Sequence, residues 1–274
     1  MYKDYFNYII RKGFNYKYSL FSLFLARGFL LDYIDENIYI SDNSFDSSLS
    51  KKNNKISCTS VSDKDDLVKI LEKLSLGYII GNELIIIKEV DLDNVYRYLF
   101  EDSSKISISV ERNKDRNGHS WSFDFTRIEP PKYPTMDLEA FIARYVKAIS
   151  AAGVWTTFSC HGHVEKNTPM YISFYGRYNG LWHKIIVDEF LNEKNINLSW
   201  NHSKDYTYIE STDELNDDLY ILILKAANCI YDNRKILRSI KQELVNSLKY
   251  KQKECLSDQD MYSLMSESFK NKYS

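Results

Sequence analysis

The segment WSFDFTRIEPPKYPTMDLEAFIARYVKAISAAGVWTTFSCHGHVEKNTPMYISFYGRYNGLWHKIIVDEFLNEKNINLSW, residues 121–200, changes its hydrophobic period four times. Trp121, Phe123 and Phe125 alternate with polar residues, the period of a strand with one buried face. Pro130, Pro131 and Pro134 end it, since proline offers no donor to a ladder. Leu138, Phe141, Ile142, Tyr145, Val146 and Ile149 then recur three and four apart, which predicts a helix over Asp137 to Ala152 with Gly153 as its stop. Val154 to Ser159 and Met170 to Tyr175 read as strands, Leu181 to Asn192 as a helix, and Ile196 to Trp200 as a strand.

This order of strand, helix, strand, strand, helix, strand predicts an α+β protein with a ferredoxin-like or RRM-like βαββαβ sheet in its middle. Such a sheet carries its helices on one face and leaves the other open for a site or a partner. Upstream lies an αβ module: an amphipathic helix over Asp63 to Leu76, a hairpin over Tyr78 to Lys88 around Gly81-Asn82, a short helix over Leu92 to Phe100, and a strand over Ile106 to Glu111. Ser41 to Ser62 is polar and aperiodic, a loop or linker. Residues 1 to about 35 read as helix, with Phe21, Phe24, Leu25 and Phe29 at helical spacing. Downstream, Tyr206 to Glu210 reads as a strand and Asp213 to about Lys253 as a long helix broken once. Its seam of Leu219, Leu222, Ala226, Ile230, Asn233, Leu237, Ile240, Leu244 and Leu248 calls for a partner helix, either within the chain or in a second copy of it. Asp258 to Ser274 is a short helix or a frayed tail. Three parts follow: helical segment and linker (1–62), α+β core with the site (63–212), and C-terminal helix and tail (213–274).

A net charge of −2 argues against a general nucleic-acid coat, though not against a local basic groove. Cys58, Cys160, Cys229 and Cys255 form no CxxC pair, the usage of reduced thiols in a cytoplasmic protein. The apolar run Tyr18 to Leu31 contains Arg27 and is too short for a bilayer, so no membrane role is expected.

All 5 His, 4 Trp and 4 Pro lie between His119 and His202. The densest knot is Ser159-Cys160-His161-Gly162-His163, at the end of a predicted strand. In extended chain His161 and His163 point the same way, and Gly162 lets the backbone approach a ligand. Cys160 points the other way unless the chain turns at Gly162. Neutral imidazoles suit zinc and related metals; His183, His119, Asp124 and Glu210 are candidate further ligands. Asp124, mid-strand between aromatics, and Glu210, at a strand end, can form a carboxylate pair holding Mg or Mn against phosphate oxygens. Arg177 and Lys184 flank Asn179-Gly180 and suit a phosphate clamp. Trp182 suits stacking, and Ser159, the first residue of the knot, is a further candidate substrate contact. Arg144, Lys147, Lys166, Tyr175 and Tyr178 belong to the same basic and aromatic set. His202, in a turn-like run, reads as surface. There is no Gly-rich phosphate loop, GxSxG or dinucleotide fingerprint.

The order of features resembles the archaeo-eukaryotic primase group of nucleotidyltransferases over about residues 63–215. Phe123-Asp124 resembles its acidic strand motif, Ser159 to His163 its Ser-x-His motif, and Ile209-Glu210 its last, hydrophobic and acidic motif. The first motif normally has two acids one residue apart, whereas Thr126 stands here. The Cys-His-Gly-His run also resembles the zinc-binding strand of the pterin-synthase fold, with only His119 to play the preceding histidine.

The leading expectation is a metal-dependent enzyme acting on a nucleotide or other phosphate-bearing substrate. Asp124 and Glu210 would hold Mg or Mn, His163 would bind phosphate or move a proton, and Arg177 and Lys184 would neutralise charge. One alternative is a zinc hydrolase or lyase with His161, His163 and either His119 or His183 as ligands. The other is a non-catalytic platform for nucleic acid or a protein partner, with the C-terminal helix as an assembly surface for a homo-oligomer.

Overall fold

The structure, a computed structural model, describes residues 2–10, 13–41, 44–46, 55–57, 61–102, 135–248 and 256–273. The protein is α+β, with two four-stranded antiparallel sheets among the described residues. These residues cluster into two compact units: 2–102, 135–144 and 216–221 make the first, and 145–215 and 222–273 the second. The strands expected at Ile106 to Glu111 and Trp121 to Ile128 lie outside the described residues.

In the first unit, α1 (Lys3–Ile10) and α2 (Tyr16–Arg27) precede a strand. Asn15 caps α2 by accepting the Tyr18 N–H at 2.8 Å. The single helix expected to about residue 35 therefore ends at Arg27. Gly28 takes the left-handed conformation (φ 112°) and donates its N–H to the Leu25 carbonyl. A Cβ on Gly28 would sit 3.1 Å from that of Ala143. Beyond it β1 (Leu31–Ile34) and β2 (Asn37–Ile40) pair around Asp35 and Glu36, both at positive φ. Inside the expected linker, β3 (Ser44–Asp46) pairs with β4 (Lys55–Ser57). Next come α3 (Val61–Lys73), the expected hairpin β5 (Gly77–Ile80) and β6 (Glu83–Ile86), and α4 (Leu92–Tyr96), which runs into a π turn over Arg97–Asp102. The sheet order is β1-β2-β6-β5.

Arg27 fastens this unit. It is 1% exposed, and its Nε, Nη1 and Nη2 donate to the carbonyls of Leu99, Thr135 and Leu138 at 2.9, 3.0 and 2.9 Å. The Thr135 N–H donates to the buried Asp63 carboxylate at 2.5 Å. Burial pushes the guanidinium pKa down to about 10, which still leaves it charged at neutral pH.

The second unit takes the greater part of α5 (Ala140–Ala151), then β7 (Thr156–Cys160), β8 (Tyr171–Phe174) and α6 (Arg177–Ile185), which continues as a π turn over Ile186–Leu191. β9 (Trp200–His202) and β10 (Tyr208–Ser211) complete a sheet of order β7-β8-β10-β9. Ile196 donates its N–H to the Leu191 carbonyl, so the residues expected to open a strand there finish the helix instead, and β9 begins at Trp200. One register row runs Cys160, Tyr171, Glu210, Asn201; the next runs Ser159, Ile172, Ile209, His202.

The long C-terminal helix is broken at Asn233 into α7 (Asp217–Asp232) and α8 (Arg234–Ser247). Leu219, Ala226, Ile230, Leu237, Ile240, Leu244 and Leu248 of its seam are buried, so the chain itself covers that stripe. Residues expected as a short helix or tail form α9 (Asp258–Tyr273), which packs on α6 and α8 and buries Met261, Met265 and Phe269. No helix among the described residues is long and apolar enough to cross a membrane.

A polar hub joins α6 and α8 to the strand layer. The Asn179 carboxamide oxygen accepts the Trp155 N–H and the Lys241 ammonium, both at 3.1 Å, and its nitrogen donates to the Tyr175 carbonyl at 2.6 Å. Lys241, fully buried, also donates to the Gly153 carbonyl. Beside the hub, Gly180 lies so close to the β9–β10 turn that a Cβ would collide with the Tyr206 carbonyl oxygen. Gly180→Ala is therefore expected to destabilise the protein by about 1–3 kcal/mol through overpacking, even though alanine is the better helix former. Urea unfolding measures this, and an unchanged midpoint would show that the helix does not need this close approach.

Candidate functional site

The described site residues belong to the second unit and fall on the two faces of its sheet. On one face Phe158, 42% exposed, stacks on Tyr171 with centroids 5.6 Å apart and planes 14° apart. Tyr171 in turn meets Tyr208 at 5.5 Å. Strand alternation puts Cys160 and Glu210 on this face, as register partners of Tyr171. Glu210 accepts the Tyr208 hydroxyl at 3.3 Å and the Asn201 carboxamide at 3.4 Å. Burial first, and then the Glu210 charge, push the Tyr208 pKa up to about 12.

The knot lies at the end of β7. Gly162 has φ 87°, and a Cβ there would lie 2.6 Å from the Leu215 side chain and 2.9 Å from the Met170 nitrogen. His163 returns to extended backbone and bridges Thr168, exchanging backbone hydrogen bonds of 2.8 and 3.0 Å. The turn brings a ligand atom of Cys160 and one of His163 within 4.8 Å of each other. The Cys160 sulfur accepts the Gly162 N–H at 3.4 Å. The rings of His161, which is buried, and His163 are 5.2 Å apart. Ser159 is half-buried on the strand.

The expected basic and aromatic set is dispersed. Trp182 is 0% exposed and its indole N–H donates to the Ala152 carbonyl at 3.2 Å, so it is a core residue with no face for stacking. Arg177 pairs with Asp258 at 3.2 Å and donates to the Leu256 carbonyl, which the Tyr178 hydroxyl also holds. Lys184 pairs with Asp188 at 2.6 Å. Both cations fasten helices of their own unit. Lys147 is 4% exposed, while Lys166 is exposed. Asp124, His119, Arg127 and Glu129 lie outside the described residues.

His183 sits on the sheet's other face, in a cluster whose other members the sequence does not announce. It is 0% exposed, and its Nε2 is 2.8 Å from the Tyr145 hydroxyl. Phe174, Trp200 and His202 surround it, with ring centroids 5.0, 6.2 and 6.4 Å away. His183 Nδ1 and His202 Nε2 are both buried and have no hydrogen-bond partner among the described residues. His202 alternates with Trp200 along β9 and is the register partner of buried Ile209. Its two-residue spacing from Trp200 is the only hint in the sequence that it turns inward. Tyr145 falls on the apolar stripe of α5, where its hydroxyl was silent. The chain matches no protein-family model, no curated protein and no solved structure.

Both imidazoles of this cluster are held neutral. Burial lowers the His183 pKa well below 6.5, and His202 and Lys184 add to it. Burial pushes His202 down to about 4; Lys184 lowers it further, while Asp188 and a bond to the Trp200 backbone oppose. In the folded chain both rings resist protonation, His202 down to about 4 and His183 well below its ordinary range, whereas protonation near 6.5 is open to both in the unfolded chain. The unfolded chain is thus the one that gains protons first. It therefore binds more protons in that window, and stability falls as pH falls through it. The melting temperature is expected to drop between pH 7 and 4.5, less steeply in His202→Asn; parallel profiles would show that His202 contributes nothing to the slope.

Proposed function

We propose that the second unit is a zinc-binding catalytic domain of the hydrolase or lyase kind, acting on a substrate with a flat ring, a nucleotide being the class that fits. The observation that carries this reading is the approach of Cys160 and His163 to within 4.8 Å beside the Phe158-Tyr171-Tyr208 ladder. A thiolate with an imidazole is a donor pair that zinc favours, whereas Mg and Mn favour oxygen. His161 would have to turn to become a third ligand, since no nitrogen of it joins the Cys160–His163 group within 4.8 Å; two imidazoles on one tetrahedral zinc have centroids about 5 Å apart, close to the 5.2 Å separating His161 from His163. Three protein ligands leave one position for water or substrate.

A zinc there supplies a water acidic enough to ionise near neutral pH. The chain's own groups do the rest. The aromatic ladder offers π faces to a base or similar ring. Glu210, in the same register row as Cys160, places a carboxylate on that face to accept a proton. Gly162 sets the ligand geometry, since its left-handed turn swings His163 to the Cys160 side.

A second reading, a non-catalytic nucleic-acid platform, is favoured by the same ladder and differs in needing no metal. Purified full-length chain is expected to carry about one zinc per molecule, and Cys160→Ser/His163→Ala to lose it with its circular dichroism unchanged. Zinc retained by the folded double variant would end the zinc reading. Phe158→Ala is expected to weaken nucleotide binding by about 1–3 kcal/mol by calorimetry. Equal binding with and without zinc would favour the platform.

A further inference from the structure

The cluster on the sheet's other face has the features of a second metal site, independent of the Cys160–His163 pair. Each imidazole has one nitrogen engaged and one open. His183 Nε2 meets the Tyr145 hydroxyl at 2.8 Å, leaving Nδ1 buried without a hydrogen-bond partner among the described residues. His202 bonds the Trp200 backbone. Its Nε2 has no partner, so Nδ1 makes that bond. Metal-binding histidines show this pattern: the outer nitrogen donates to a carbonyl or hydroxyl, which fixes the tautomer and leaves a lone pair on the inner one. A tyrosine hydroxyl has two acceptor lone pairs and can take the Nε2–H. A buried polar atom left unsatisfied costs about 1–3 kcal/mol, and here two occur on neighbouring imidazoles, with the Trp200 indole nitrogen a third beside them.

We propose that His183 Nδ1 and His202 Nε2 bind a single copper(I) ion in line between them. Two metal–nitrogen bonds of about 2.0 Å laid end to end put imidazole centroids about 6.4 Å apart, the separation observed. Tetrahedral binding by the same rings would need them about 1 Å closer. The surroundings favour a singly charged ion. Phe174, Trp200, Tyr145 and Tyr206 line the cluster, and Tyr206 lies 6.0 Å from His202. Of the charges nearby, the Lys184 ammonium pairs with Asp188 at 2.6 Å, and Asp188 also accepts the Tyr262 hydroxyl at 3.1 Å; the pair offsets the Lys184 charge only in part, since at His202 the effect of Lys184 exceeds that of Asp188. A doubly charged ion with two neutral ligands in such a setting carries a large desolvation cost.

The test uses full-length Cys160→Ser/His161→Ala/His163→Ala, so that it is blind to the knot. Copper(I) is titrated anaerobically against a chromogenic chelator. One equivalent is expected to bind, with X-ray absorption showing two nitrogen neighbours and no sulfur. Adding His202→Ala, at a half-buried position, is expected to abolish binding. Adding Tyr145→Phe, which keeps the ring, is expected to weaken it about 10–100-fold. No copper(I) bound by the folded triple variant, or binding indifferent to His202→Ala, overturns the proposal. The Cys160–His163 zinc reading stands or falls separately, on zinc content of the wild type.

Discussion

The carboxamide of Asn179 is the point on which the second unit turns. Wholly buried, it takes two donors on its oxygen, the Trp155 N–H and the Lys241 ammonium, while its nitrogen holds the Tyr175 carbonyl. Trp155 and Tyr175 flank β7 and β8, so one side chain sets how α6 meets both strands. Lys241 adds α8 and the Gly153 carbonyl at the stop of α5. A buried ammonium is tolerated where its donors are used, and a carbonyl and a carboxamide use them without a second charge. From this anchor the rest follows one residue at a time. Gly180 lets α6 touch the β9–β10 turn, and one helical turn after Asn179 comes His183, set against β9.

What the sequence made legible is what local chemistry controls. The break of the C-terminal helix, the hairpin at Gly81-Asn82, the stripe of α5 and the strands around the knot follow from periodicity and turn residues. The misses have long-range causes. Gly28 stops α2 in a left-handed conformation within an apolar run that still reads as helix, and close approach to Ala143 is what fixes a glycine there. β3 and β4 pair inside a segment too polar for a strand signal. The π turns after α4 and α6 have no sequence signature.

The site divides in the same way. Cys160 and His163 were recognisable because Gly162, between His161 and His163, is the residue at which the chain can turn to bring them to one side. Arg177, Lys184 and Trp182 have the right chemistry for a phosphate clamp and a stacking face, yet chemistry does not say where a side chain is employed. Asp258 takes Arg177 from 81 residues away, and the Ala152 carbonyl takes the Trp182 N–H from 30. His202 looked like surface because its run is polar, and only the arrival of α6 turns a strand residue into an interior one. Composition marks where unusual side chains are; packing decides which of them remain available.

Strand alternation then sorts the histidines by their work. The Cys160 row faces the aromatic ladder and Glu210, where a charged or polar ligand keeps contact with water. The Ser159 row, one residue on, faces α6, and its His202 shares a dry space with His183 and three aromatic rings. A one-residue change of register would exchange the two environments. Their donor sets differ. A thiolate brings charge to offset that of a divalent ion, and Cys160, buried itself, stands on the face of the aromatic ladder. Neutral imidazoles alone bring none, and they stand where a divalent ion would be costliest. On the two readings proposed above, the sheet would offer two chemically distinct places for a metal without the two sets sharing a ligand, because the pleat separates them.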